Sequence, residues 1–317
     1  VRSILVTGAS GFLGSHFLDW FLRADEGFDL WPMDIVPHPA GLPYDLQDIE
    51  LWLEDFNVDI DIAIHMAGVV GGRQKIEGDP LYNADQLRID SVFFRWAVKH
   101  AKTVVYPSSS AVYGAQLQVG SGIPLSESLC DVTRETWLAP DEMYGFTKLA
   151  GEKLAWSAAK YGLNTLIVRP FSGYGEGQSF DYPVPSIARR ALHREDPLVV
   201  WGPGTQTRDF VHVTDLVSAV MARLEHPVDG VDVMNIGSGT ATSFNEVART
   251  CADIVGYDPQ IVNLGDMPTG VQSRYCDPKR MRRYYEPKVS LRDGLERVIT
   301  FIRDGEETAG AQDAAGG

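Results

Sequence analysis

The first half of the chain alternates short apolar runs with longer stretches of helical period. Ser3–Thr7 (SILVT) reads as a strand buried on both faces. Residues from about Phe12 to Ala24 then place apolar positions at helical spacing behind a glycine-rich turn. Asp29–Met33, Ile60–Met66, Thr103–Pro107 and Thr165–Arg169 predict further strands, with helices near Ala84–Lys99 and Glu142–Tyr161. Strands separated by helices of this length form βαβ units, and right-handed crossovers wind them into a parallel sheet with helices on both faces. The predicted fold class is α/β, a Rossmann-like doubly wound parallel sheet with its ligand edge at the carboxyl ends of the strands.

After Pro170 the pattern loosens. Residues 171–186 are rich in Gly, Pro and aromatics, and shorter elements follow. Helices are predicted near 186–194, 214–225, 243–256, 277–284 and 290–303, and strands near 198–201, 232–236 and 259–263. This predicts a nucleotide-binding domain over 1–170, completed by about 211–235. A smaller C-terminal α/β substrate-binding domain then takes 171–210 and 236–302. Residues 303–317 hold little apolar content and are expected to be a mobile tail.

Composition narrows the function. The 317 residues carry a formal net charge of −15, which argues against nucleic acid as a partner, because its binding rests on basic patches. No window approaches the length of apolar sequence that spans a membrane, and Val1–Val6 reads as a strand rather than a signal segment. The three cysteines, Cys130, Cys251 and Cys276, are widely spaced and fit reduced thiols in a cytoplasmic protein. The seven histidines are dispersed, and no metal is expected.

Two motifs carry chemistry. The run from Thr7 through Gly8, Ala9, Ser10, Gly11, Phe12, Leu13 and Gly14 joins the first strand to the first helix with GxxGxxG spacing. Gly8 permits the tight turn, Gly11 lets the backbone approach a pyrophosphate, and Gly14 lets the helix pack close. The helix N-terminus supplies N–H donors and a positive dipole. Asp34 ends the second strand 20 residues after Gly14, where a carboxylate accepts ribose hydroxyls and repels a 2′-phosphate. No Arg or Lys follows until Arg73, so NAD is favoured over NADP. Asp45 and Leu46 fit a loop lining the adenine.

The second motif is Tyr144-Gly-Phe-Thr-Lys148. Residues i and i+4 share a helix face, so the Lys148 ammonium can sit near the phenol, lower its pKa and make Tyr144 a usable base. A second YxxxK, at Tyr284 and Lys288, contains Pro287 and is read as accidental. Ser108, Ser109 and Ser110 follow a parallel strand at the ligand edge, where hydroxyls can bond a sugar hydroxyl or carbonyl.

With these residues in place, the chain resembles the extended short-chain dehydrogenase/reductase family, in its nucleotide-sugar epimerase/dehydratase branch. The resemblance spans roughly residues 3–302. It rests on TGASGFLG (7–14), Asp34, HMAG (65–68), SSSAVYG (108–114), YGFTK (144–148), RPFSGYG (169–175) and RDFVHVTDL (208–216). It implies bound NAD beside Met66, Ala67, Gly68, Ser108 and Pro170, and a catalytic set of Ser109, Tyr144 and Lys148. It also implies a sugar nucleotide whose diphosphate meets Arg208 and Arg274, and a homodimer formed through the helices near 84–99 and 142–161. His65 is expected to pack beside the cofactor cleft without transferring protons.

Departures from the family select the chemistry. Dehydratases resemble TDEVYG, whose acids fall where this chain has Ser110 and Ala111. GVVGGR (68–73) and VVWGPGTQTRDFVHV (199–213) resemble GDP-fucose synthase and GDP-mannose 3,5-epimerase. Those enzymes place a Cys base at Ala111, and GDP-fucose synthase has a His acid at about Gly177. What remains resembles UDP-galactose 4-epimerase: redox-neutral epimerisation at C4 through a transient 4-keto sugar, with Tyr144 as acid/base. A 4-keto-sugar reductase or dehydrogenase is the alternative. Retention of both Tyr144 and Lys148 argues against a non-catalytic NAD-sensing protein. Ser172 stands where relatives have an Asn that touches the phosphates, Leu87 where a helix Asn is common, and Arg73 with Gln74 offers alternative sugar contacts.

Overall fold

The computed structural model describes residues 1–24, 27–35, 42–43, 56–69, 71, 78–79, 81–134, 139–267 and 269–315, with 42–43 and 310–315 as backbone alone. The elements run β1 (Arg2–Thr7), α1 (Phe12–Arg23), β2 (Phe28–Asp34), β3 (Leu42–Pro43), β4 (Ile60–His65), α2 (Asp85–His100), β5 (Ala101–Pro107), α3 (Glu142–Ala158), β6 (Asn164–Pro170) and β7 (Ser172–Tyr174). There follow α4 (Pro183–Leu192), β8 (Leu198–Trp201), β9 (Thr207–Arg208), β10 (Phe210–His212), α5 (Val213–Leu224), β11 (Val231–Ile236) and β12 (Thr242–Ser243). The chain ends with α6 (Phe244–Val255), β13 (Ile261–Leu264), β14 (Ser273–Arg274) and α7 (Leu291–Ala315).

Seven parallel strands form the main sheet in the order β11-β6-β5-β4-β1-β2-β3. The chain winds outward from β1 to β3, returns to β4 and continues the other way. The direction therefore reverses between β1 and β4, and a crevice opens beyond their carboxyl ends. Both faces of the sheet are covered. Ile4, Val6, Leu166 and Met234 pack under α1 and α5 with Phe17, Phe21 and Val217. Leu5, Ala63, Val104 and Ile167 pack under α2 and α3 with Phe93, Trp96 and Ala155. This double burial explains why the strands read as unbroken apolar runs. Beyond β6, the helices α4, α6 and α7 pack with β8 around Ile187, Val200, Val247 and Leu295.

Several expectations need correction. Residues 303–315 are helical, because α7 continues through Ala315. Glu306 accepts from Arg189 Nε at 3.0 Å and His193 Nε2 at 2.9 Å, which ties this helix to α4 and its C-terminus. Low apolar content rules out a buried face. It does not rule out propagation of an existing helix through alanines that are strong helix formers. The helix expected near 277–284 is a single 3₁₀ turn, Met281–Arg283, between Pro278 and Pro287. α4 begins at Pro183 rather than 186, proline being well suited to a first helical turn. Among the described residues, no helix is long and apolar enough to cross a membrane.

Candidate functional site

The glycine turn and the switch point coincide. Gly8 adopts a left-handed φ of 66°, and a Cβ there would lie 2.5 Å from the Ala67 nitrogen. A Cβ on Gly14 would lie 2.0 Å from the Gly8 carbonyl oxygen, so α1 can close on the turn only with glycine at this place. Gly11 caps α1 without a side-chain bond, which leaves its first turn to present backbone N–H groups into the crevice. Phe12 and Leu13 begin the helix. Met66 donates its N–H to the Thr7 carbonyl at 2.9 Å and Ala67 to Thr7 Oγ1 at 3.2 Å, which holds 66–68 beside the turn. Asp34, buried at the end of β2, accepts the Ser10 N–H at 2.8 Å. That bond fastens the loop to β2. The cradle, the uncapped helix and the acid at the β2 end fit a dinucleotide with an unmodified adenosine ribose. Asp45, Leu46 and Arg73 lie outside the described residues.

α3 carries the Tyr–Lys pair, and Lys148 is almost fully buried. Its Nζ lies 6.0 Å from the centroid of the Tyr144 ring and 5.6 Å from that of Tyr106 on β5. The helix start is anchored on the serine loop, where Asp141 donates its N–H to the Ala111 carbonyl at 2.8 Å. Glu142 then takes a left-handed φ of 56°, an unfavourable conformation for a residue with a Cβ. Arg274 holds the junction, its Nη2 reaching Asp141 Oδ2 at 2.7 Å and its Nε the Gln118 side chain.

Ser109 caps the 3₁₀ turn Ser110–Val112, and its Oγ accepts the Ala111 N–H at 3.1 Å. Ser109, Ser110 and Tyr144 open on one cavity of about 660 Å³ that also receives Ser172, Arg208 and Arg274. Five residues taken from four separate motifs, and Arg274 from outside them, therefore meet in one place. Arg208 Nη1 donates to the Thr207 carbonyl at 2.7 Å and Nη2 to that of Thr269 at 2.9 Å. The next residue, Asp209, is fully buried and accepts N–H groups from Ser238, Gly239 and Cys276, which fixes the strand that aims Arg208. Ala111 also lines the cavity and brings no acid or thiol to it.

Two further residues named from the sequence lie in buried polar clusters. The Ser108 hydroxyl donates to Glu152 of α3, within a fully buried ion pair. There Arg169 Nε and Nη2 meet the two Glu152 oxygens at 2.8 and 2.7 Å, and Arg169 Nη1 donates to Tyr113 Oη at 3.1 Å. His65 packs, stacked on Phe93, with both ring nitrogens satisfied in a polar cluster. Its Nδ1 pairs with Thr7 Oγ1 at 2.8 Å and its Nε2 with Asp90 at 3.3 Å. Burial holds His65 below its ordinary pKa, and Lys148 adds to the effect against the pull of Asp90. Pro170 ends β6 opposite Ile236.

Sequence reasoning did not single out Tyr182, Gln206, Phe244 or Thr269, which line the same cavity. Gln206 lies within the quoted 199–213 segment, whereas Tyr182, Phe244 and Thr269 fall outside every quoted motif. The signal that could have exposed the ion pair is Arg169 itself, a charge inside an apolar strand that requires a buried partner. The three cysteines are free and buried. Burial pushes Cys130 and Cys251 up to about 12 and raises Cys276 further, which leaves them poor nucleophiles.

A dinucleotide cradle at the switch point, next to a Tyr–Lys pair in an open cleft, defines a Rossmann-fold NAD-dependent enzyme. Residues 4–237 match the NAD dependent epimerase/dehydratase family, and the chain belongs to that family. It is similar to a Bacillus subtilis (strain 168) protein named as an uncharacterized UDP-glucose epimerase, YtcB, with 28% identity over 94% of this chain and 97% of the relative. It is 30% identical to a dTDP-4-dehydro-6-deoxy-D-allose reductase of a Streptomyces species, over 95% of this chain and 96% of that one. Among solved structures, MoeE5 in complex with UDP-glucuronic acid and NAD superposes with a TM-score of 0.82 at 30% identity, covering 96% of this chain and 99% of that one. The cofactor of this family is NAD, and its chemistry is carried out on nucleotide sugars.

Proposed function

We propose that this enzyme is an NAD-dependent nucleotide-sugar 4-epimerase. The observation that carries the reading is the shared cavity. It brings Ser109 and Tyr144 together with Arg208 and Arg274, while Ala111 supplies no acid or thiol at the position from which dehydration or 3,5-epimerisation would draw one. Arg208 and Arg274 take the diphosphate, for which guanidinium forks are suited. Tyr144, as phenolate beside Lys148, takes the proton of the sugar C4 hydroxyl with Ser109 bridging. It returns that proton after the 4-keto sugar has turned its other face to the cofactor. Gly8–Gly14, Asp34 and Met66–Gly68 would hold NAD, which would supply reversible hydride transfer, so that no external reductant would be consumed.

A panel of UDP-, dTDP-, GDP- and CDP-sugars followed by NMR tests this. Inversion at C4 alone, with no cofactor added and none consumed, is the expected result. Stoichiometric oxidation of added NADH or NADPH would instead establish the reductase reading, which the Streptomyces relative favours.

The assembly we propose is a homodimer through α2 and α3, where Phe146 is about half exposed. Sedimentation at the monomer mass of 34.9 kDa would remove it. Three free, buried thiols support a cytoplasmic setting.

A further inference from the structure

Lys148 is a buried ammonium, and a buried charge must be compensated. One of the two rings its Nζ faces is Tyr106, and the far end of that ring is tied to a carboxylate. Tyr106 Oη donates to Asp90 Oδ2 at 2.6 Å. Asp90 on α2 is fully buried, and its other oxygen accepts from Gln86 Nε2 at 2.5 Å and from His65 Nε2 at 3.3 Å. The chain of bonds continues to the cofactor cradle. The Thr7 hydroxyl donates to His65 Nδ1 and accepts the Ala67 N–H, and Gln86 Oε1 accepts the Val69 N–H at 2.8 Å. An ionised Asp90 can only accept, so His65 Nε2 donates to it and Nδ1 accepts from Thr7, and these bonds run in one direction, toward Asp90.

The helix that carries Tyr144 and Lys148 is shaped around this network. Gly151 lies one turn beyond Lys148, and a Cβ there would sit 1.8 Å from Tyr106 Oη and 2.8 Å from Asp90 Oδ2. Glycine at 151 is therefore what lets α3 rest directly on the Tyr106–Asp90 bond.

We propose that Asp90, acting through Tyr106, is a positioning residue that holds the Lys148 ammonium against Tyr144. A phenol that donates to a carboxylate carries more negative charge into its ring, which strengthens the attraction of an ammonium on its face. The hydrogen bond also fixes where that face points. The proposal rests on the reading of Tyr144 as the acid/base. The titratable groups around this trio are Asp90 on α2, His65 on β4 and Glu152 on α3. Tyr182, ahead of α4, is in electrostatic reach of Tyr144 and of Tyr82, ahead of α2. Burial and the Asp90 charge hold the Tyr106 phenol well above its ordinary pKa, so it stays protonated and keeps donating.

The test is a phenolate absorbance titration of the NAD-loaded protein, which needs no substrate. Among twelve tyrosines, the difference between wild type and Tyr144→Phe isolates the ionisation of Tyr144. The same difference is then taken in a Tyr106→Phe background, where Asp90 keeps the Gln86 and His65 donors. The ionisation is expected to move up by about one pH unit, a tenfold change in the equilibrium. Thermal unfolding run alongside shows whether the fold is intact. An unmoved ionisation in Tyr106→Phe overturns the proposal, even if the melting temperature falls. In Asp90→Asn the same upward shift is expected. A downward shift, the sign that direct repulsion between carboxylate and phenolate would give, overturns it as well. A wild-type protein with no low-pH ionisation removed by Tyr144→Phe would overturn the acid/base reading itself, which is a separate outcome.

Discussion

Tyr144→Phe is expected to lower kcat by roughly 10²- to 10⁴-fold, the range that positioned acid–base groups contribute. The protein should remain folded with NAD bound. The substitution removes one hydroxyl from a ring that is only half-buried, on a helix held by other contacts. These are Asp141 to the Ala111 carbonyl, Arg274 to Asp141, and the Gly151 approach to Tyr106. The loss should therefore fall on kcat and leave KM for the nucleotide sugar little changed, because the diphosphate contacts proposed for Arg208 and Arg274 are untouched. Turnover within tenfold of wild type would remove Tyr144 as the proton carrier and direct attention to another hydroxyl on the cavity, Tyr182 first.

The largest expected effect on stability is at Glu152. Its side chain is 0% exposed and that of Arg169 is 1% exposed, and the two meet through two parallel bonds. Glu152→Gln leaves a guanidinium buried without its counter-charge and weakens the bond from Ser108. Breaking a buried pair from one side costs about 3–5 kcal/mol. For a chain of this size that corresponds to a fall in Tm of roughly 5–8 °C, which calorimetry would measure. The double variant Glu152→Leu with Arg169→Met should lose less than Glu152→Gln, since apolar replacement of both partners removes the stranded charge. A single variant that melts within about 1 °C of wild type would show that Arg169 is adequately satisfied by Tyr113 and the Glu127 and Cys130 carbonyls.

The two expectations concern the same helix in different ways. α3 presents Tyr144 to the cavity near its start, Lys148 to the interior one turn on, and Glu152 to Arg169 one turn further. The spacing of four between these residues makes them neighbours on one stripe of the helix. Of the three, only the first pair forms a motif that can be recognised along the chain. Glu152 finds its partner on β6, and nothing local to either residue announces the other.

What was legible in the sequence is what local geometry dictates. The glycine turn could be read because a strand-to-helix junction that approaches a phosphate tolerates few residues, and Gly8 and Gly14 show the steric reason. Asp34 could be read because the length of a βα unit brings the end of β2 beside that turn. Tyr144 and Lys148 could be read from the pitch of one helix. The parallel, doubly wound character of the sheet followed from strand–helix alternation and the handedness of crossovers, while its strand order came from the structure. The extent of α7 was misread because apolar content measures packing, whereas helix propagation depends on backbone bonding and on residues such as Glu306 that tie the helix to α4.

The sequence by itself determined the fold class, the cofactor cradle and the Tyr–Lys pair, since each depends on residues a few positions apart or on the repeat of a single element. Only the tertiary structure decided which charges are spent on one another. Arg274 reaches Asp141 across 133 positions, Arg169 reaches Glu152 between two elements, and Asp90 gathers Tyr106, Gln86 and His65 from two strands and a helix. Such partners are chosen by burial, because an unpaired charge or hydroxyl in the interior costs more than the order needed to pair it, and burial is a property of the packed molecule.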